Sequence, residues 1–350
     1  MDKENRNSSF ELLRIIAQYM IVVYHILLFW FVLDNPGYEP MFKVAWIPLH
    51  IGVILYVLIS GYFGIRFSIK GLFHILSQLF VYGLGLYLLS HFIYGDEIKV
   101  RRLFFISNTP YWFIRTYLFL YLLSPFINKA IKNISLNSRL ISLLVLAWIS
   151  CYVGFFQFDT SLKEGYNVLH FAFLYLIGDT LSKYKDRFNS TPAIVLVASY
   201  LFINVLSVLC GYYAITELSE CTLVFDVFFQ YNSLVLVLNA LLLFLLFMRL
   251  KMKSRVINYL ASACLAVYLI YGSSLFLNHL IKDAAWYIQT LTNSVFVQLL
   301  YVCLLGLLVL ACCIAMDKIL TPVWRFANTI SGKMEKTSIG RIFLEYSIVK

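Results

Sequence analysis

The chain has 350 residues, of which 61% are hydrophobic and 13% charged, and its formal net charge is +10. A soluble domain holds roughly 25% charged and 45–50% apolar residues, so this composition excludes an ordinary soluble enzyme and points to a protein of several membrane spans. The cations sit in short loops between apolar runs and form no basic stripe with interleaved aromatics, which excludes a nucleic-acid partner and assigns them to topology and to anionic membrane lipids.

Runs long enough to span a membrane, about 20 residues each, fall near 12–33, 44–64, 71–94, 110–128, 139–157, 167–182, 191–212, 223–248, 256–281 and 293–320. The expected fold is all-α: a polytopic bundle of about ten transmembrane helices over residues 1–325, with a short cytoplasmic tail over 326–350. The first run is too long for a signal-peptide core and no small-x-small cleavage site follows it, so it is read as a retained helix. Of the 28 Lys and Arg, 20 fall in one alternating set of loops and 6 in the other, while Arg14 and Arg115 lie within helices. Lys and Arg collect on the cytoplasmic side, so both termini are expected there.

In the first helix, RIIAQYMIVVYHILLF, Arg14 and His25 are eleven residues apart. At about 3.6 residues per turn they share a face with an offset of about 20° and a rise of about 16 Å. Glu11, three residues before Arg14, can hold the guanidinium. Charged and titratable groups inside a membrane helix are costly and mark sites or paths. A permanent cation near one surface with an imidazole at mid-depth suits an anionic ligand whose reacting end needs proton transfer. The plainer alternatives are a snorkelling anchor for Arg14 and a hydrogen-bonded bundle histidine without chemical duty for His25.

Further along, His50 lies near the outer end of the second helix. Ser60-Gly61-Tyr62 closes that helix with small residues that permit close backbone approach or a helix end. Lys70 and His74 follow on the cytoplasmic side, placed for a phosphate-rich ligand; ordinary loop charge is the alternative. Arg115 lies a turn or two below the outer surface in the fourth helix, either lining an external cavity with His50 and His170 or snorkelling upward. Asp179 is expected to pair with a loop lysine. Gln18, Gln78, Gln230, Asn232 and Asn239 read as interhelical glue. The seven cysteines lack Cys-x-x-Cys spacing and read as small buried hydrophobes. No metal-ligand cluster, phosphate-binding glycine loop, GxSxG elbow or HExxH occurs.

These residues also carry a resemblance. FELLRIIAQYMIVVYH, with Glu11, Arg14 and His25 in the pattern [DE]-x-x-R-x10-H, resembles the opening of the membrane acyltransferase-3 family. VLISGYFGI is similar to that family's Ser-Gly-[Phe/Tyr] helix end at Ser60, Gly61 and Tyr62. YWFIRTYLFLYLLSPFIN is similar to its Trp-[Phe/Tyr] helix closing on proline, at Trp112, Phe113 and Pro125. LAVYLIYGSSLF resembles its late Tyr-Leu-x-His segment, with Tyr271 where histidine is common. The likeness runs from about residue 10 to 320. An Arg-x-x-Arg pair found after the second helix in many relatives is replaced here by Arg66, Lys70 and His74.

The resemblance implies an integral-membrane enzyme of the cell (plasma or inner) membrane that moves an acyl group, usually acetyl, from cytoplasmic acyl-CoA to a hydroxyl of a cell-envelope carbohydrate. Acetyl-CoA or another acyl-CoA is then a substrate, and no permanently bound cofactor is expected. His25 would be the general base or a transient acyl carrier, with Arg14 and Glu11 beside it. Arg14, Arg66, Lys70 and His74 would hold the donor, and Arg115, His50 and Trp112 would face the acceptor. The rival readings are a transporter of a lipid-linked sugar or small anion and a non-catalytic partner in envelope assembly. Transporters often have repeated halves and matching broken helices, and neither is legible in this sequence.

Overall fold

Lipid leaves a single chain few ways to satisfy its backbone polar groups, and the helix is the one an apolar, strand-poor sequence can adopt. The computed structural model describes residues 7–35, 37–103, 111–156, 162–218, 222–337, 342–343 and 346, and these form helices without a strand. Lys3, Arg6, Cys221, Arg341 and Lys350, with the start of the fourth apolar run, lie outside the described residues.

Six long apolar helices follow in chain order with two others among them. They are α1 (Ser8–Leu33), α2 (Pro40–Phe63), α3 (Ile69–Tyr94), α4 (Trp112–Lys132), α5 (Leu136–Phe156), α6 (Val168–Lys183), α7 (Ala193–Thr216) and α8 (Asp226–Arg249). The ninth apolar run is two helices, α9 (Arg255–Tyr271) and α10 (Phe276–Leu291), which meet at 75°. α11 (Val295–Ile319) and α12 (Thr321–Met334) complete the described chain. Seven of these are long and apolar enough to cross a membrane alone, and the bent α9–α10 pair makes an eighth. α4 is not apolar enough over its length and α6 is too short to count on that measure, yet both pack against α2 or its neighbours inside the bundle. The ten spans expected from the sequence counted α4 and α6 as well; among the described residues up to eight meet the length and hydropathy of a span, and the ninth apolar run is broken and not straight.

α2 is the central helix and α7 a peripheral one, since 78% of the apolar stretch of α2 is buried and only 11% of that of α7. The α2–α6 seam is drawn tight by glycine. Gly61 lies against the Tyr175 backbone and Gly178 against the Leu58 carbonyl, closer than any side chain would allow. α2 then stops at Gly64, whose φ of +71° is open to glycine at little cost. Pro125 sits inside α4 without ending it. Wide π-helical turns interrupt α1 at Leu27–Leu33, α3 at Leu79–Gly85 and α5 at Trp148–Val153, and they open α10 at Phe276–Ile281.

Two acids, the half-buried Asp179 and the buried Asp317, organise the end of the bundle that carries most of the basic loops. Arg139, sorted by sequence among the loop cations, is 1% exposed and donates to Asp179, with its Nη2 on the Ile131 carbonyl at 2.8 Å. Asp179 therefore takes a buried arginine as partner and not a loop lysine. Asp317, at the end of α11, accepts from Tyr82 Oη and from Trp324 Nε1, each at 3.0 Å. This clasp docks α12 along the first part of α3.

Candidate active site

The site begins with how α1 is held. Asn7 caps it by accepting from the Ser9 amide at 3.1 Å, Ser8 N donates to the Met252 carbonyl at 2.8 Å, and Ser254 N donates to Ser8 Oγ at 2.8 Å. These bonds satisfy the unpaired amides of the first turn and tie α1 to the loop between α8 and α9. With the first turn fixed, Arg14 Nη1 lies 3.0 and 3.2 Å from the two carboxylate oxygens of Glu11. The Glu11 side chain is 4% exposed and that of Arg14 27%, so the acid is sealed in while the guanidinium opens on free space.

That space is a cavity of about 350 Å³ between α1, α2, α3, α4 and α9. Glu11, Arg14, Gln18 and Ile21 line it from α1, a stripe at helical spacing. Tyr56 and Ser60 face them from α2, His74 and Gln78 from α3, Phe113 and Tyr117 from α4, and Cys264 and Tyr268 from α9. The Tyr56 hydroxyl donates between the Arg14 carbonyl, at 2.9 Å, and Gln18 Oε1, at 3.1 Å. Gln78 Nε2 lies 3.1 Å from His74 Nε2. The wall is thus apolar and aromatic with a few polar groups aimed inward, the usual make-up of a small-molecule site.

His25 continues the α1 stripe one turn beyond Ile21 but does not line this cavity. Its Nδ1 lies 2.9 Å from the Ile21 carbonyl and 2.9 Å from the Tyr271 hydroxyl. Tyr268, which does line the cavity, is one turn before Tyr271 on α9. The His25–Tyr271 pair therefore forms the next layer past the cavity's inner wall. His25 Nε2 has no hydrogen-bond partner among the described residues, and the ring keeps part of its surface open. Phe29 stacks alongside it at 5.8 Å between ring centres.

A family model described as an acyltransferase domain matches residues 7–318, most of the chain. The chain belongs to the acyltransferase-3 family. It is a multi-pass membrane acyltransferase. Comparison with curated proteins and with solved structures gives no match.

The acyltransferase fold gathers some of the sequence-selected residues and separates others. Glu11, Arg14 and His74 share one cavity. Arg66 lines a different cleft of about 420 Å³, with Lys132, Arg139, Asp179 and Lys183. Lys70 is exposed and lines neither. Arg115 is exposed, while its neighbours Phe113, Ile114 and Tyr117 are the α4 residues that face the cavity. His50 and Trp112 meet through Tyr231, which stacks on His50 at 4.1 Å and tilts against Trp112 at 5.4 Å. The His50 ring is 3% exposed and neither of its nitrogens has a hydrogen-bond partner among the described residues. Tyr24 spans the gap to His25, at 4.8 Å from His50 and 5.0 Å from His25. His170 is fully buried against Ser150 at 2.8 Å, away from Arg115.

Tyr56, Tyr117, Tyr268 and Cys264 escaped the sequence reading. In a chain with 25 tyrosines and 7 cysteines, residue type alone marks none of them. Spacing carried a usable signal for one: Tyr268 and Tyr271 lie one turn apart, as Ile21 and His25 do.

Proposed function

We propose that this acyltransferase moves an acyl group, acetyl in the simplest case, from acyl-CoA at the basic-loop face to a hydroxyl of a cell-envelope or exported carbohydrate, or of its lipid-linked precursor. The observation that carries the reading is the Arg14–Glu11 pair opening on a cavity whose inner wall is one turn short of His25. The cavity is at the small end of ligand sites, roughly 300–1,000 Å³. It suits the thioester arm, with the nucleotide left outside among the cations. The donor phosphates would meet Arg14, because a guanidinium offers parallel N–H donors to an oxyanion.

In this scheme His25 Nε2 takes the proton of the acceptor hydroxyl as its oxygen attacks the thioester carbonyl carbon. The C–S bond breaks, the acyl group stays on the oxygen, and the CoA thiolate recovers the proton from the imidazolium. Proton transfer by a placed imidazole contributes about 10²–10⁴-fold in such reactions. The membrane is taken to be the cell's plasma or inner membrane, where the donor is cytoplasmic and the acceptor is assembled.

One observation favours a transport reading, the 75° break between α9 and α10 beside His25, since broken helices line substrate paths in transporters. No second break of this kind occurs among the described residues, so the paired arrangement of inverted repeats is missing. One assay ranks the two. Inverted membrane vesicles receive radiolabelled acetyl-CoA and a crude glycan acceptor, with wild type compared to His25→Ala at equal protein level. Label should enter the glycan with wild type only. Transfer that persists in His25→Ala removes His25 from the chemistry. Absence of transfer from any acyl-CoA, with uptake of a sugar lipid, replaces the acyltransfer scheme by transport.

A further inference from the structure

His25 is held by two oxygens at the same nitrogen, and only one of them was given by α1 itself. The Ile21 carbonyl belongs to the preceding turn of the same helix. The second oxygen, the Tyr271 hydroxyl, comes from the last residue of α9, immediately before the chain turns by 75° into α10. Tyr271 is 2% exposed. Its helix end is pinned, since Tyr111 Oη donates to the Leu269 carbonyl at 2.9 Å and Gly272 lies against the Tyr111 ring. On the far side of the turn, Gln289 Nε2 donates to the Trp30 carbonyl of α1 at 2.8 Å. The phenol is therefore placed by anchors on both arms of the bend.

The chemistry follows from which atoms can donate. A backbone carbonyl only accepts, so a hydrogen on Nδ1 serves Ile21, and the Tyr271 oxygen takes the remaining share of it. Neutral imidazole carries one hydrogen, so a hydrogen held on Nδ1 leaves the lone pair on Nε2, the nitrogen without a protein partner here. When the ring becomes doubly protonated, both oxygens already face the N–H. With Ile21 alone, the Nδ1 hydrogen would rest on a carbonyl already engaged by the α1 backbone ladder, and the tautomer would be weakly held.

We propose that Tyr271 is the positioning residue of His25, sharing the Nδ1 hydrogen with the Ile21 carbonyl and so assigning Nε2 as the nitrogen that exchanges a proton with the reacting hydroxyl. The activity part of this inference rests on the acyltransfer scheme above; the tautomer part does not. The bend between α9 and α10 is then a device that delivers a phenol to mid-membrane depth, a role separate from opening a path.

The test has two readouts on the full-length protein in lipid nanodiscs. In the first, histidine side chains are labelled with ¹⁵N and the His25 signals are assigned by their loss in His25→Gln. Wild type should show the Nδ1–H tautomer alone, and Tyr271→Phe, which keeps the ring and loses the oxygen, should show both tautomers. A wild-type spectrum dominated by Nε2–H, or a Tyr271→Phe spectrum equal to wild type, overturns the proposal whatever the enzyme transfers. In the second, Tyr271→Phe should lower kcat about tenfold, the value of one hydrogen bond, with the KM for acetyl-CoA unchanged. A raised KM with kcat intact would move Tyr271 into donor binding and end its positioning role. If wild type transfers no acyl group while the tautomer result holds, the acyltransfer scheme fails and the Nδ1 assignment stands.

Discussion

Replacing Gly61 with alanine tests the seam that sets the width of the cavity. A Cβ at Gly61 would lie 2.1 Å from the Tyr175 carbonyl oxygen and 2.8 Å from its carbonyl carbon, where ordinary contact starts at 3.4 Å. The obstacle is backbone, so no rotamer change relieves it, and α2 and α6 must part by about 1 Å. Overpacking of this kind costs about 1–3 kcal/mol, and a rigid backbone obstacle places Gly61→Ala at about 3 kcal/mol. The consequence reaches the site because Ser60 and Tyr56 lie on the same helix as Gly61 and line the cavity. The 2.9 Å bond from Tyr56 Oη to the Arg14 carbonyl should stretch out of range as α2 shifts. Thermal unfolding in nanodiscs at fixed lipid ratio should show a fall on the order of 5 °C, scaled from about 2–4 °C per kcal/mol in smaller domains. Gly178→Ala meets Leu58 O at 2.3 Å across the same seam and should behave alike. Once one alanine has opened the seam the second costs less, so the double variant should lose less than the sum of the two. A Gly61→Ala protein melting within about 1 °C of wild type, or strictly additive losses, would refute the argument that backbone contact sets the α2–α6 distance.

Asp317→Ala leaves Tyr82 Oη and Trp324 Nε1 without their acceptor, at a cost of about 1.5–3 kcal/mol for each bond to a charged group; α12 should undock, seen as several-fold faster proteolysis within 321–334. Asp179→Asn strips the counter-charge from Arg139, which is 1% exposed, and should cost about 3 kcal/mol, the low end for a broken buried pair because the Asp179 side chain is itself 30% exposed; replacing both residues with leucine should recover most of the lost melting temperature. Asp96 lies outside the spans, accepting from Ser90 Oγ at 2.5 Å and contacting His279 Nε2 at 3.0 Å, and these bonds hold its carboxyl below the usual range. A carboxylate depressed in the folded state adds stability above its ordinary value of about 4, and this is lost as pH falls through the lower folded value. Hydrogen exchange at 90–96 and 276–281 should therefore rise only below about pH 4, and Asp96→Asn should abolish that step.

Much of the site was legible because helix geometry is arithmetic. Glu11, Arg14, Gln18 and Ile21 line one cavity, and His25 continues their stripe, as spacing along a single helix requires. Gly61 was legible for the same reason, as a small residue near a helix end that admits a close neighbour. What could not be read depended on a second element. Arg139 looked like one more loop cation until Asp179 of α6 reached it, because the positive-inside rule counts charges and does not ask which are paired. Arg66 and Lys70 looked like neighbours of Arg14 because they follow the second helix, yet the turn at Gly64 sends Arg66 into a separate cleft.

The bend after Tyr271 shows why the ninth run misled. Its apolar residues continue from 256 to 281, and hydrophobicity alone reads that as one straight span. The signal for a break was the small run Gly272-Ser273-Ser274, which weakens a helix without ending its apolar character. A straight α9–α10 would carry the residues after Tyr271 along the α9 axis, so Gln289 would lie far from the Trp30 carbonyl that it reaches in the bent form. The break therefore lets one short stretch of chain touch α1 twice, at His25 through Tyr271 and at Trp30 through Gln289, 18 positions further on. A restored straight helix, made by replacing Gly272, Ser273 and Ser274 with alanines, should lose the Trp30 contact first. If it also disorders the His25 tautomer, the bend and the phenol act as one device. If the tautomer survives, Tyr111 and α9 alone hold the phenol, and the bend serves the outer half of the bundle.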